Sequence, residues 1–252
     1  MAGAMKKRKM NVSRIPGILT VRWLTLRIAF ACLVLLLGIS LVVGAQEILT
    51  ADRYLADVAE RYATIKDYQA KILITTTKAS MKGTLIHKSP SLLRIDFSQP
   101  MDQVISYNGE ELTVYIPEYR AVLSQNVGTT SSGAAGASLA SSKGLSILRR
   151  NYSVAYDSGP GELPLEEGST EPVIRLSLTR KSVAEGFRSL TLSISPATNL
   201  IRRIEGQTIA DESVRFDFTD IILDQGIPEA RFVYDSPASA NRYNNFLFKE
   251  TD

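Results

Sequence analysis

The chain has 252 residues, of which 44% are hydrophobic, 22% charged and 8% aromatic. That composition excludes a disordered chain, a collagen-like repeat and a protein built of membrane spans throughout. The formal net charge of +3 belongs to the first 45 residues, which hold Lys6, Lys7, Arg8, Lys9, Arg14, Arg22 and Arg27 and no acid. Beyond them 22 basic residues face 26 acidic ones, so no nucleic-acid surface is implied.

The leader reads in three parts. A basic region ends at Arg27, an uncharged apolar run extends from Ile28 to Ala45, and Val43-Gly44-Ala45 sets small residues at a cleavage site before Gln46. A run of roughly 18 residues is also long enough to span a bilayer. Two alternatives therefore stand for residues 1–45, a cleaved signal peptide or a retained N-terminal anchor. In both, residues 46–252 form a single domain facing outward. Ala29-Phe30-Ala31-Cys32 faintly suggests a lipid-attachment box, but the apolar run continues through Leu33 to Leu37, which argues against lipidation. Cys32 is the only cysteine, so the mature chain has no disulfide and no thiol nucleophile.

Thr50 is placed to cap a helix predicted over Ala51–Ala63, with Tyr54, Leu55, Val58, Tyr62 and Ile65 on one face. After Asp67 the hydrophobic period changes to two, with Ala70, Ile72 and Ile74 alternating with polar residues. Strands are predicted at 67–77, 80–87, 92–97, 102–107, 111–116 and 120–125. After a gap they resume at 152–157, 172–179, 189–194, 200–208 and 213–223, with a short one at 231–234.

The Asn108-Gly109 turn sets the register of one hairpin. A two-residue loop there pairs Tyr107 with Glu110 and Ile105 with Leu112. Ile105, Leu112, Val114 and Ile116 then share an apolar face, while Asp102, Ser106, Glu111 and Thr113 share a wet one. Leu93, Ile95 and Phe97 alternate in the same way. Asn126–Gly144, rich in Ala, Ser and Gly, and Asp157–Glu171 read as exposed loops. Leu145, Ile147 and Leu148 form a short amphipathic segment before Arg149.

The motifs of chemistry are missing. No phosphate-binding glycine loop and no G-x-S-x-G elbow occur. His87 is the only histidine, which excludes a multi-histidine metal site, and beside Lys88 it reads as an exposed polar residue. Arg149-Arg150 and Arg202-Arg203 read as solvated strand ends. The expectation is no enzyme, no cofactor and no metal. From spacing alone the apolar face has two readings, a core packed on the helix or a ligand cavity.

Several stretches carry a resemblance. Gly83-Thr84-Leu85 begins a strand that leads through Lys88-Ser89-Pro90 into Leu92–Phe97 and Gln99-Pro100. Val104-Ile105-Ser106-Tyr107-Asn108-Gly109 follows, then Leu112-Thr113-Val114-Tyr115-Ile116-Pro117. Leu145-Ser146-Ile147-Leu148, the pair Ile204-Glu205 and Phe216-Asp217-Phe218, and Phe232–Pro237 come later in order. Together these resemble the LolA-type lipoprotein-carrier family across most of residues 50–240. The resemblance implies a mainly β fold: an incomplete antiparallel barrel of about eleven strands, with an N-terminal helix and a short helical lid over an apolar cavity. Leu93, Ile95, Phe97, Ile105, Leu112 and Val114 would line it from the sheet, and Leu145 and Leu148 from the lid.

The implied function is a monomeric periplasmic carrier. It would receive lipoprotein acyl chains from an inner-membrane lipoprotein-releasing ABC transporter and pass them toward the outer membrane and an acceptor there. The same fold also serves envelope sensors and anchored lipid-binding proteins that do not shuttle. This chain departs from the family where a turn arginine latches the lid, since Ser89 stands there, and where a tryptophan is usual, since Ile95 replaces it. A latch at Ser89 is therefore not expected.

Overall fold

The computed structural model describes residues 49–126 and 140–246. The leader, with Cys32 and the Val43-Gly44-Ala45 site, and most of the insertion after Asn126 lie outside the described residues. Among the described residues no helix is long and apolar enough to cross a membrane.

Helix α1 spans Ala51–Thr64. Its cap is the expected one: Thr50 Oγ1 accepts from the Arg53 amide at 3.2 Å, satisfying one of the free N–H groups of the first turn. Asp52 in that turn favours the positive end of the helix dipole. Leu55 and Val58 are wholly buried, each stabilising the fold by about 1.5–3 kcal/mol.

The sheet begins with β1 (Asp67–Thr76), β2 (Ser80–Lys88), β3 (Leu92–Gln99), β4 (Met101–Tyr107), β5 (Glu111–Ile116) and β6 (Ala121–Asn126). Helix α2 (Ser142–Asn151) follows. Then come β7 (Tyr152–Tyr156), β8 (Leu163–Pro164), β9 (Pro172–Arg180), β10 (Phe187–Ile194), β11 (Ile201–Thr208), β12 (Ser213–Leu223) and β13 (Asn241–Asn244). The strand order is β13-β6-β5-β4-β3-β2-β1-β12-β11-β10-β9-β7, with β8 also on β9. All neighbours are antiparallel except β13, which runs parallel to β6. No pairing among the described residues joins β7 to β13, so the barrel is incomplete, as expected.

One sheet face is apolar along its length. Ile72 and Ile74 of β1 sit opposite Phe218 and Phe216 of β12, and Ile204 of β11 lies between Phe216 and Leu192. These side chains join those of α1 and α2 in one buried cluster. Tyr62 ties α1 to the sheet, its hydroxyl accepting from the Ile201 amide at 3.1 Å.

The opposite face is not simply wet. The chain after β12 crosses it over β2–β5, and Asp67 fixes the start of this strap. Its buried carboxylate accepts from the amides of Gln225, Gly226 and Ile227 at 2.7–3.2 Å. Phe232, Ile227, Ile86 and Leu92 make a second apolar cluster there. Ser106 Oγ donates to the Phe232 carbonyl at 2.5 Å, and Arg94 lies over the Tyr234 ring.

Four expectations are corrected. The β4–β5 hairpin pairs Tyr107 with Leu112 and Ile105 with Val114, because Asn108 Oδ1 accepts from both the Glu110 and Glu111 amides and lengthens the loop. Ser106 and Thr113 are buried rather than wet, Ser106 beneath the strap. The strand predicted at 231–234 is a single 3-10 turn, Glu229–Phe232, following Pro228. The eleven principal strands are joined by β8, within the loop predicted at 157–171, and by β13, both formed where no hydrophobic alternation marks them.

Candidate functional site

The site is built where α2 lies against the inner face of the sheet. Ser141 caps α2, its Oγ accepting from the Gly144 amide at 3.0 Å, and Leu145 and Leu148, three apart, point inward and are at most 3% exposed. Leu93, Ile95 and Phe97 of β3 and Leu112 of β5 belong to the same buried cluster, and Ile105 packs against it. Val114, opposite Ile105, shares that face but is only half-buried and lies outside the cluster. The hairpin register differs from the expected one by two residues, so every side chain keeps its predicted face. Seven of the eight predicted lining residues thus share one apolar interior, roofed by helices.

The polar groups within this interior are few. Tyr68, on β1, donates its hydroxyl to the Ala140 carbonyl at 2.8 Å, just before α2. Its ring stacks on His87, with centroids 5.2 Å apart, and meets Tyr62 edge-on. Burial pushes the Tyr68 hydroxyl well above its usual range and pushes His87 down to about 4. His87 is 5% exposed, against the expectation of an exposed residue. It lies opposite Tyr68 of β1 and Leu93 of β3, on the inward parity of β2 with Leu85. Neither ring nitrogen has a hydrogen-bond partner among the described residues. Leaving a buried polar group unpaired costs about 1–3 kcal/mol.

Further ties hold α2. Arg149 pairs with Asp52 of α1 at 2.8 Å, and Lys181 Nζ donates to the carbonyls of Arg149 and Arg150 at the negative end of the helix. Ser89 is not among them: its amide donates to the Lys66 carbonyl, closing the link between α1 and β1. Arg94 points to the outer face, where it pairs with Asp96. Of the two dipeptides expected to be solvated, Arg150 is exposed while the other three arginines are paired. Arg203 is buried between Asp217 and Glu166, Arg202 pairs with Glu171, and Arg149 holds Asp52. The sequence signal for the buried pair was parity, since Arg203 sits opposite Asp217 across β11–β12.

A separate polar groove of about 520 Å³ opens across β1, β12, β11 and β10, lined by Thr75, Thr191, Glu205, Gln207 and Arg215 among others. None of the predicted residues lines it. Among the described residues no cluster of His, Cys, Asp and Glu is arranged to hold a metal ion.

A sheet that is antiparallel but for β13, packs one face on two helices and ends at β13 and β7 among the described residues defines the class as an incomplete β-barrel with a roofed apolar interior. That architecture, an incomplete antiparallel barrel with an N-terminal helix and a short second helix, is the one the sequence resemblance implies. An uncharacterized conserved protein from Thermus thermophilus superposes with a TM-score of 0.50 at 14% identity, over 75% of this chain and 96% of that one. A LolA superfamily protein from Nitrosomonas europaea gives 0.39 at 12% identity, over 73% and 98%. The Mycobacterium tuberculosis lipoprotein LppX gives 0.44 at 10% identity, over 71% and 97%. These likenesses are of fold. No family model and no curated protein matches the sequence.

Proposed function

We propose that the chain is an exported lipid-binding protein of the cell envelope that shelters acyl chains in the apolar interior beneath α2 and does no covalent chemistry. The observation that supports this reading is the roof. The inner face is mostly apolar, yet part of it is covered by a ten-residue helix whose polar ties among the described residues include Tyr68 to Ala140 and Arg149 to Asp52. Burying one CH₂ is worth roughly 0.8 kcal/mol, so a lipoprotein anchor does not leave a membrane unaided at a useful rate. A carrier has to offer comparable apolar surface and be able to give it up, and a short helix over a sheet suits that exchange.

Within this reading the chain is a periplasmic carrier. It takes lipoprotein acyl chains from an inner-membrane lipoprotein-releasing ABC transporter and passes them toward the outer membrane. Ile28–Ala45 favours a second role if retained, a lipid-binding sensor that stays at the inner membrane. Ile95, on the central part of the inner face, supplies the test. Ile95→Glu places a charge in the apolar cluster and is expected to abolish uptake of a fluorescent acyl probe. Unchanged probe affinity in a folded variant removes the interior as the lipid site.

A further inference from the structure

We propose that His87 is the polar contact for a bound lipid, hydrogen-bonding the acyl carbonyl where a fatty chain joins its ester or amide linkage, beneath the leading end of α2. The inference rests on the lipid-shelter reading and adds which part of the lipid is recognised.

A neutral imidazole has one N–H donor and one nitrogen acceptor. Both are unpartnered among the described residues although the ring is 5% exposed. Tyr68 covers one ring face, and Tyr68 and Leu93 flank His87 in the neighbouring strands. A plain hydrocarbon leaves both nitrogens unpaired. An acyl carbonyl accepts from the N–H, and an amide N–H or glycerol hydroxyl beside it donates to the other nitrogen. The linkage is also the first polar group met at the end of an apolar chain.

The surroundings select a neutral partner. Among the described residues the buried charged ones are Asp67 and Arg203. Asp67 is turned to the strap amides and Arg203 to Asp217 and Glu166, so neither offers a counter-charge to a headgroup in the interior. Burial also holds the ring in its neutral form. Position completes the case. The Tyr68 side chain that stacks on His87 also holds the Ala140 carbonyl ahead of α2. A lipid entering under that end of the helix therefore meets the tie and the imidazole together.

Because His87 is the only histidine, ¹⁵N-histidine labelling reports on this ring alone. Delipidated protein, with whatever chain the cell leaves on it, is titrated with dipalmitoylglycerol, with an N-palmitoyl lipopeptide and with hexadecane. Binding is read by displacement of a fluorescent alkyl probe that lacks a carbonyl. The ester or the amide is expected to shift the His87 ¹⁵N resonances while hexadecane leaves them in place. A response to the ester alone assigns a glycerolipid, and one to the amide alone a lipopeptide.

His87→Phe keeps the stack on Tyr68 and is expected to weaken the carbonyl-bearing ligand by about three- to tenfold, with hexadecane unchanged. His87→Gln, which restores a donor and an acceptor, is expected to recover part of the loss. Equal weakening of hexadecane, or ¹⁵N resonances that ignore every carbonyl ligand, overturns the assignment while leaving lipid shelter intact. Wild-type protein that takes up none of the ligands overturns both.

Discussion

The His87 imidazole sits on the inner face of β2 with Tyr68 stacked on it, and burial lowers it from 6.5 to about 4. Between those two values the unfolded chain binds a proton that the folded chain does not, so stability falls as the pH drops through this window. The contribution is fully present above pH 6.5, and its loss amounts to about 3 kcal/mol by pH 4. Urea unfolding of wild type and His87→Phe at pH 7.5 and pH 4.5 checks it. Wild type is expected to lose about 2–3 kcal/mol more than the variant on acidification. Identical pH dependence of the two would show that the ring is reached by solvent or paired. The residue also marks a limit of sequence reading. Its place beside Lys88 at a strand end suggested exposure, whereas its parity with Leu85 pointed inward, and parity decided.

Helix α2 is held by side chains of very different worth. The Arg149–Asp52 pair is partly exposed, and such pairs contribute roughly 0–1 kcal/mol. The Tyr68 hydroxyl bond to Ala140 is buried, and its loss leaves a buried carbonyl unpaired at a cost of about 1–3 kcal/mol. Tyr68→Phe keeps the ring contacts and is expected to raise hydrogen exchange across 140–151 by roughly tenfold. Arg149→Ala is expected to change it by less. Unchanged protection in Tyr68→Phe would mean that apolar packing of Leu145 and Leu148 alone holds the helix.

Much of this arrangement was legible at the level of elements. The Thr50 cap, the strand alternations and the inward faces all followed from periods of 3.6 and 2. The face assignment survived a two-residue register difference because the side-chain period of a strand is two. What stayed hidden lacked a local signal. β13 is made of exposed Asn241, Arg242, Tyr243 and Asn244 and exists through backbone pairing with β6. The strap meets Ser106 through a contact 126 residues apart in sequence, and no hydropathy pattern announces it. Phe232-Val233-Tyr234 alternates like a strand, but Phe232 alone is deeply buried while Val233 is exposed.

At the scale of the molecule, the two faces of the sheet are covered in different ways. The outer face of β2–β5 is closed by the strap, which Asp67, Lys88, Arg94 and Ser106 fasten at separate points. The inner face is closed by two helices, and only α2 is short and flanked by the insertion that follows β6. On the proposed function, acyl chains occupy this inner face beneath the shorter helix. Native mass spectrometry of the protein purified without detergent from the soluble envelope fraction reads that occupancy out. The predicted result is a chain beginning at Gln46 that carries a non-covalent acyl species, released when Ile95 is replaced by Glu. A chain free of any lipid, which stays free after incubation with lipidated peptides and acylglycerols, would contradict it.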